Sequence, residues 1–263
     1  MGKFTVLLLA LVAGLGAAVW YYRHEPDATR RSAIVRVDDS WLDDLFSRNP
    51  REVTSATEQL EAEGAAAVPI IRKVLQDRSE TVERRKSALK ACAILGPTAA
   101  PAVPDAAALL DEPEYTAEAA LALSFMGPSA APSLRAGTRA ADPAVRRESL
   151  RSLGKLRERR AIGSDEVLTA LFDGLTDDDA TVRGVAATYL GIIVDDPSRA
   201  VAELADALED EDASVRRSAA SALAAYGPQA EPAIPALRKA VRDPDEEVRR
   251  EAGRTLVRIA ELK

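Results

Sequence analysis

From about residue 40 onward, apolar side chains return every three or four positions, separated by charged and small polar ones. Val215, Ala219, Ala222, Leu223 and Tyr226 illustrate the pattern. At about 100° per residue they fall within one arc of about 100°, the signature of a helix that buries one stripe. Asp212 stands three residues before the stripe, where its carboxylate can cap the first turn. Gly227-Pro228 follows it, since glycine suits a left-handed helix end and proline cannot continue the helix.

This unit recurs. Leu208, Asp210, Asp212, Val215, Arg216, Ala219 and Leu223 are matched by Leu175, Asp177, Asp179, Val182, Arg183, Ala186 and Leu190. They are matched again by Val241, Asp243, Asp245, Val248, Arg249, Ala252 and Leu256. Asp142, Val145, Arg146, Ser149 and Leu153 keep most of the phrase, Tyr115, Thr116, Ala119 and Leu123 keep its apolar frame, and Arg84, Arg85, Ala88 and Cys92 form a looser copy. The anchors at 84, 115, 145, 182, 215 and 248 are 31, 30, 37, 33 and 33 residues apart. A fixed period of this size signals a stack of supersecondary units. Each copy holds a second helix, preceded by a first helix opened by proline in Ala67-Val68-Pro69, Ala102-Val103-Pro104 and Ala233-Ile234-Pro235. The longest step contains the basic loop Arg157-Glu158-Arg159-Arg160, and Ser164 is a candidate cap for the helix after it. A partial unit with Trp41, Leu42, Leu45 and Phe46 precedes the series. The pattern predicts an all-α chain of about seven helical hairpins, at 40–63, 64–95, 96–126, 127–160, 161–195, 196–226 and 227–261.

The D-x-D-x-x-V-R phrase and A-x-x-x-L frame resemble HEAT repeats, in particular the short repeats of the phycobilisome-lyase-like family. The resemblance covers residues 40–262. It implies an α-solenoid, a right-handed stack whose second helices line a concave surface. It also implies the alternative of a lyase-like or assembly activity on a chromophore protein. Independently of any family, a hairpin of about 33 residues buries too little apolar surface to stand alone.

The N-terminal pattern is different. Residues 4–22, FTVLLLALVAGLGAAVWYY, carry no charge and lie between Lys3 and Arg23. Residues 1–23 therefore read as a signal peptide or a transmembrane anchor. Gly14, Gly16, Ala17 and Ala18 suit a cleavage site, whereas Trp20, Tyr21 and Tyr22 suit an interfacial belt. A third option is a buried helix of the body. The first two place the solenoid outside the cytoplasm, either anchored or secreted, with 24–39 as a tether and 40–263 as the repeat domain.

Composition agrees with close helix packing: 51 of 263 residues are alanine, and only seven aromatics lie beyond position 22. Tyr115, Phe125, Phe172, Tyr189 and Tyr226 read as core residues. Lys and Arg total 35 against 42 acids, and without residues 1–23 the balance is 33 against 42, or −9. Nucleic acid is therefore a poor general partner. The single Cys92 and single His24 remove most zinc-site and nucleophile-triad chemistry, and no phosphate-binding glycine loop is present. Neither a catalytic residue, a metal site nor a cofactor is predicted; the acidic runs at 177–179 and 209–212 read as caps, and Cys92 as core.

Two columns of charge remain. Arg85, Arg146, Arg183, Arg216 and Arg249 follow the anchor and lie beside the stripe. Asp177, Asp210 and Asp243, five residues before it, could meet them in an Asp–Arg ladder between units. Positions two and six after each anchor face away from the stripe. They read Lys86 and Lys90, Ala117 and Leu121, Arg147 and Arg151, Gly184 and Thr188, Arg217 and Ser221, and Arg250 and Arg254. The cations among them could line a basic inner groove for a protein partner or acidic peptide, or form ordinary solvated helix faces.

Overall fold

The computed structural model describes residues 39–261. Fourteen α-helices and no strand are present among them. The apolar period pairs the helices into hairpins: α1 (Trp41–Asp44) with α2 (Pro50–Glu63), α3 (Val68–Gln76) with α4 (Val82–Leu95), and α5 (Val103–Ala107) with α6 (Thr116–Phe125). Then follow α7 (Ala131–Gly137) with α8 (Pro143–Glu158), α9 (Asp165–Gly174) with α10 (Ala180–Ile192), α11 (Pro197–Ala207) with α12 (Ala213–Ala225), and α13 (Ile234–Ala240) with α14 (Glu246–Glu261). The segment 1–23 and nearly all of the tether lie outside the described residues. Among those described, no helix is long and apolar enough to cross a membrane.

Local chemistry starts and stops these helices. Asp142, Asp179 and Asp212 hold extended backbone and accept hydrogen bonds from Ala144, Thr181 and Ser214 N–H groups, as N-caps do. Asp245 accepts from Val248 N–H at 3.0 Å. Ser164 makes no such cap. Its backbone is already helical, and its hydroxyl is drawn into a cross-unit bridge, donating to Asp195 at 2.6 Å. The three Gly-Pro signals and Gly64 stop the α-helix, but the chain does not then enter an open loop. It winds on as 3₁₀-helix over Gly64–Ala67, Gly96–Ala102, Pro128–Ala130 and Gly227–Ala233, and in three of the four delivers a Val-Pro or Ile-Pro pair to the next first helix. Glycine is needed at the hinge, where Gly227 has φ of 52°.

Packing is unequal in the two layers. Successive second helices α4, α6, α8, α10, α12 and α14 lie against one another along the stack, while first helices touch their own kind only lightly. Alanine and glycine allow this approach: a β-carbon on Gly191 would lie 2.6 Å from Cα of Ala222. Polar ties cross the same seam, with Ser152 Oγ donating to Ala120 O and Thr255 Oγ1 to Ala220 O, both at 2.8 Å. Tyr115, Phe172, Tyr189 and Tyr226 are buried in one continuous core. Phe125 is not; it stays 38 % exposed, because its position faces out of α6 and the Arg159 guanidinium lies 3.9 Å from its ring centroid. Cys92 is fully buried, and that burial pushes its thiol up to about 12.

Candidate functional site

The turns between first and second helices carry a repeated guanidinium site. Arg146 grips Asp177 with Nε and Nη2, both at 2.7 Å, and donates through Nη1 to Ala140 O and Ala141 O of its own turn. Arg183 repeats this with Asp210, Asp177 O and Asp178 O, and Arg216 with Asp243, Asp210 O and Glu211 O. Each aspartate also accepts from the N–H two residues ahead, at Asp179, Asp212 and Asp245. Burial raises the Asp177 and Asp210 carboxyls, but the paired guanidinium and the backbone N–H outweigh it and hold both below the ordinary carboxylate range. At Asp243 the Arg216 hydrogen bond dominates and burial opposes it, with the same net direction. Arg249 binds its own turn at Asp243 O and Pro244 O, and no carboxylate of a following unit reaches it among the described residues.

The ladder is discontinuous. Arg85 reaches Glu112 at 3.2 Å and Leu75 O, with its guanidinium carbon 4.7 Å from the Tyr115 ring centroid. At the next turn Thr116 occupies the arginine position and donates its hydroxyl to Leu110 O at 2.8 Å. Its counterpart five residues before Val145 is Ala140. Both halves of one rung are thus replaced together. A depression of about 690 Å³ opens there between Leu110, Gly137, Ala140 and Val145.

The cations of the second column all lie on second helices, but the structure does not bring them together as one bare row. Lys86 pairs with Glu118 at 2.7 Å, and Lys90 donates to Leu45 O while lying over Phe46. Arg147 and Arg151 share Glu148, Arg250 pairs with Glu246 and Glu247, and Arg254 with Glu251. Arg217 is exposed and has no carboxylate partner among the described residues. It borders a groove of about 460 Å³ between α10, α12 and α14, with Thr188, Ile192, Ser221, Glu247 and Glu251 also on its walls. Positive charge is therefore balanced at the α12–α14 end.

The basic segment at the C-terminal end of α8 contributes contacts that periodicity did not reveal. Arg159 reaches back to Ser124 O at 2.8 Å, and Arg157 reaches forward to Asp195 at 2.6 Å. Its irregular position in the repeat was the available signal. No group of three or more His, Cys, Asp or Glu residues is placed to hold a metal among the described residues.

A family profile described as HEAT repeats matches residues 106–191, 131–224 and 201–262, together more than half of the chain. Kap95 in the Kap95:Nup1 complex superposes with a TM-score of 0.65 at 17 % identity, covering 84 % of this chain and 34 % of that one. Importin beta crystallised in an ammonium sulfate condition gives 0.60 at 16 %, covering 84 % and 33 %. The CpcE–CpcF complex of phycocyanin lyase from Nostoc sp. PCC7120 gives 0.49 at 24 %, covering 59 % and 98 %. The chain spans about a third of the length of the Kap95 and importin beta chains. None of the curated proteins matches the sequence.

Proposed function

We propose that this chain, which belongs to the HEAT-repeat family, is a non-catalytic scaffold that holds a protein or peptide partner along the inner face of its second helices. The observation that carries this reading is the contrast between the two surfaces of the second helices. One surface is consumed by the core and by helix-to-helix ties. The other leaves the positions two and six after each anchor turned to solvent at regular spacing over six units, which is how a solenoid presents an extended binding surface. The distinctive ionisable and thiol groups support a structural use. Arg146, Arg183 and Arg216 and their aspartates join units, and Cys92 is held as a neutral thiol. The neighbour solved with Nup1 is consistent with a protein partner. The uncharged segment 4–22 supports placing the scaffold outside the cytoplasm, anchored or exported.

Site-specific photo-crosslinking of the full chain in its native cell tests the reading. A crosslinker at Arg217 on the inner face should capture a defined protein that crosslinkers at Thr169 or Arg238 on the first helices do not. The combined charge reversal Arg147→Glu, Arg151→Glu, Arg250→Glu and Arg254→Glu should reduce its recovery. Equal capture from both faces, or recovery indifferent to the reversal, overturns binding along this face.

A further inference from the structure

One second helix differs from the others on the solvent side. Along that face, residues two, six and ten after the anchor are Ala117, Leu121 and Phe125 on α6, and all three are exposed. No other second helix from α4 to α14 is apolar at all three positions. The neighbours instead place cations at the same heights in the repeat. Ala117 lies between Lys86 of α4 and Arg147 of α8, and Leu121 between Lys90 and Arg151. Phe125 has Lys155 at its level on α8 and Arg159 stacked on its ring. Leu121 is 43 % exposed, in a chain that buries most of its large apolar side chains.

Resting on the scaffold reading above, we infer that α6 and its flanks form the seat for an acidic amphipathic segment of a partner protein. Bulky apolar residues of that segment pack on Leu121 and Phe125, and its carboxylates meet the cations on either side. Charge complementarity selects this occupant. The surface formed by α4, α6 and α8 carries Lys86, Lys90, Arg147, Arg151, Lys155 and Arg159 against Glu83, Glu118, Glu148 and Glu158, six cations to four carboxylates, on a chain whose net charge is −7. Glu118 and Glu148 are already paired with Lys86 and with Arg147 and Arg151. Lys90 and Arg159 use carbonyl and ring contacts, so each retains a formal charge that no carboxylate among the described residues neutralises. The surface of α12 and α14 lacks this excess: Arg217, Arg250, Arg254 and Arg258 stand there against Glu246, Glu247, Glu251 and Glu261, four cations to four carboxylates. The seat is therefore specific to the second, third and fourth units. Apolar contact supplies affinity, and the flanking charges set orientation and encounter rate.

The test uses the full chain and a fluorescent synthetic helix of about five turns, with leucines at i and i+4 flanked by glutamates, followed by anisotropy. Controls are the same peptide with lysine for glutamate, one with serine for leucine, and anionic lipid vesicles. The acidic peptide should bind, both peptide controls should bind much more weakly, and the vesicles should not compete. Leu121→Gln should weaken binding by about tenfold, the loss of one buried leucine contact. Arg151→Gln should weaken it several-fold and flatten its salt dependence. Leu121 is exposed and Arg151 half-buried with one 3.6 Å contact to Glu148 on its own helix, so thermal melting should change little, and an outer-face variant, Arg238→Gln, should bind like the parent. Binding insensitive to Leu121→Gln, preference for the basic peptide, or preference for vesicles overturns the seat. If the peptide fails while the Arg217 crosslink persists, the scaffold stands and the seat on α6 falls; if the inner-face crosslink is also lost, both fall.

Discussion

The Arg183 guanidinium grips Asp210 of the next unit through two nitrogens, at 2.7 and 2.9 Å, while its third nitrogen closes its own turn on Asp177 O and Asp178 O. One side chain therefore does two jobs, one within a unit and one between units. Removing either partner leaves a largely buried charge or two carbonyls without a donor. We expect Asp210→Ala and Arg183→Met each to destabilise the stack by roughly 3 kcal/mol. The double variant should cost less than the sum, because neither charge is then stranded. Urea denaturation followed by circular dichroism, completed as a double-mutant cycle, measures the coupling.

Acid should attack the same rungs. Asp177, Asp210 and Asp243 ionise more readily in the fold than in the unfolded chain. A depressed folded pKa gives stability that is fully present above the unfolded value of about 4 and is lost as pH falls through the folded value. Urea midpoints should thus hold steady from neutral pH down to the ordinary carboxylate range and drop below it. Asp177→Asn with Asp210→Asn should lower the neutral plateau and make the acid decline shallower. An unchanged decline would show that other carboxylates control acid unfolding.

The vacant rung offers the converse experiment. Thr116 is almost fully buried, as Arg85 and Arg183 are at the equivalent position, and Ala140 stands where the three following units hold Asp177, Asp210 and Asp243. Thr116→Arg combined with Ala140→Asp should rebuild the rung and raise stability by about 1 kcal/mol. Either change alone should destabilise, since each adds a charge without its partner. Thermal melting of the three variants distinguishes the outcomes.

Two glycines inside helices should respond with opposite sign. A methyl group on Gly191 would meet backbone and Cβ of Ala222 at 2.6 and 2.8 Å, so Gly191→Ala must push α10 from α12, at a cost of about 1–3 kcal/mol. Nothing lies within 4 Å of the same methyl on Gly253 in α14, where Gly253→Ala should stabilise by about 0.5–1 kcal/mol through helix propensity alone. Melting temperatures moving in the same direction would contradict the close approach.

What the sequence determined by itself was set by short-range physics. The recurring stripe around Val215, Ala219 and Leu223, the Asp212-type caps and the Gly227-Pro228 hinges depend on residues within a few positions of one another, so the hairpins and their boundaries were legible from spacing. Even the arginine and aspartate columns were visible as columns. The tertiary structure alone decided which side chain meets which across 27 or more positions. It gave Ser164 to Asp195 rather than to its own helix, joined Arg159 to Ser124 of an earlier unit, and left Phe125 facing solvent. It also paired most inner-face cations with carboxylates one turn or one unit away, so that net positive charge collects beside α6. These outcomes depend on the distance and rotation between stacked hairpins, which the Gly191–Ala222 contact and its neighbours set and which no local pattern encodes.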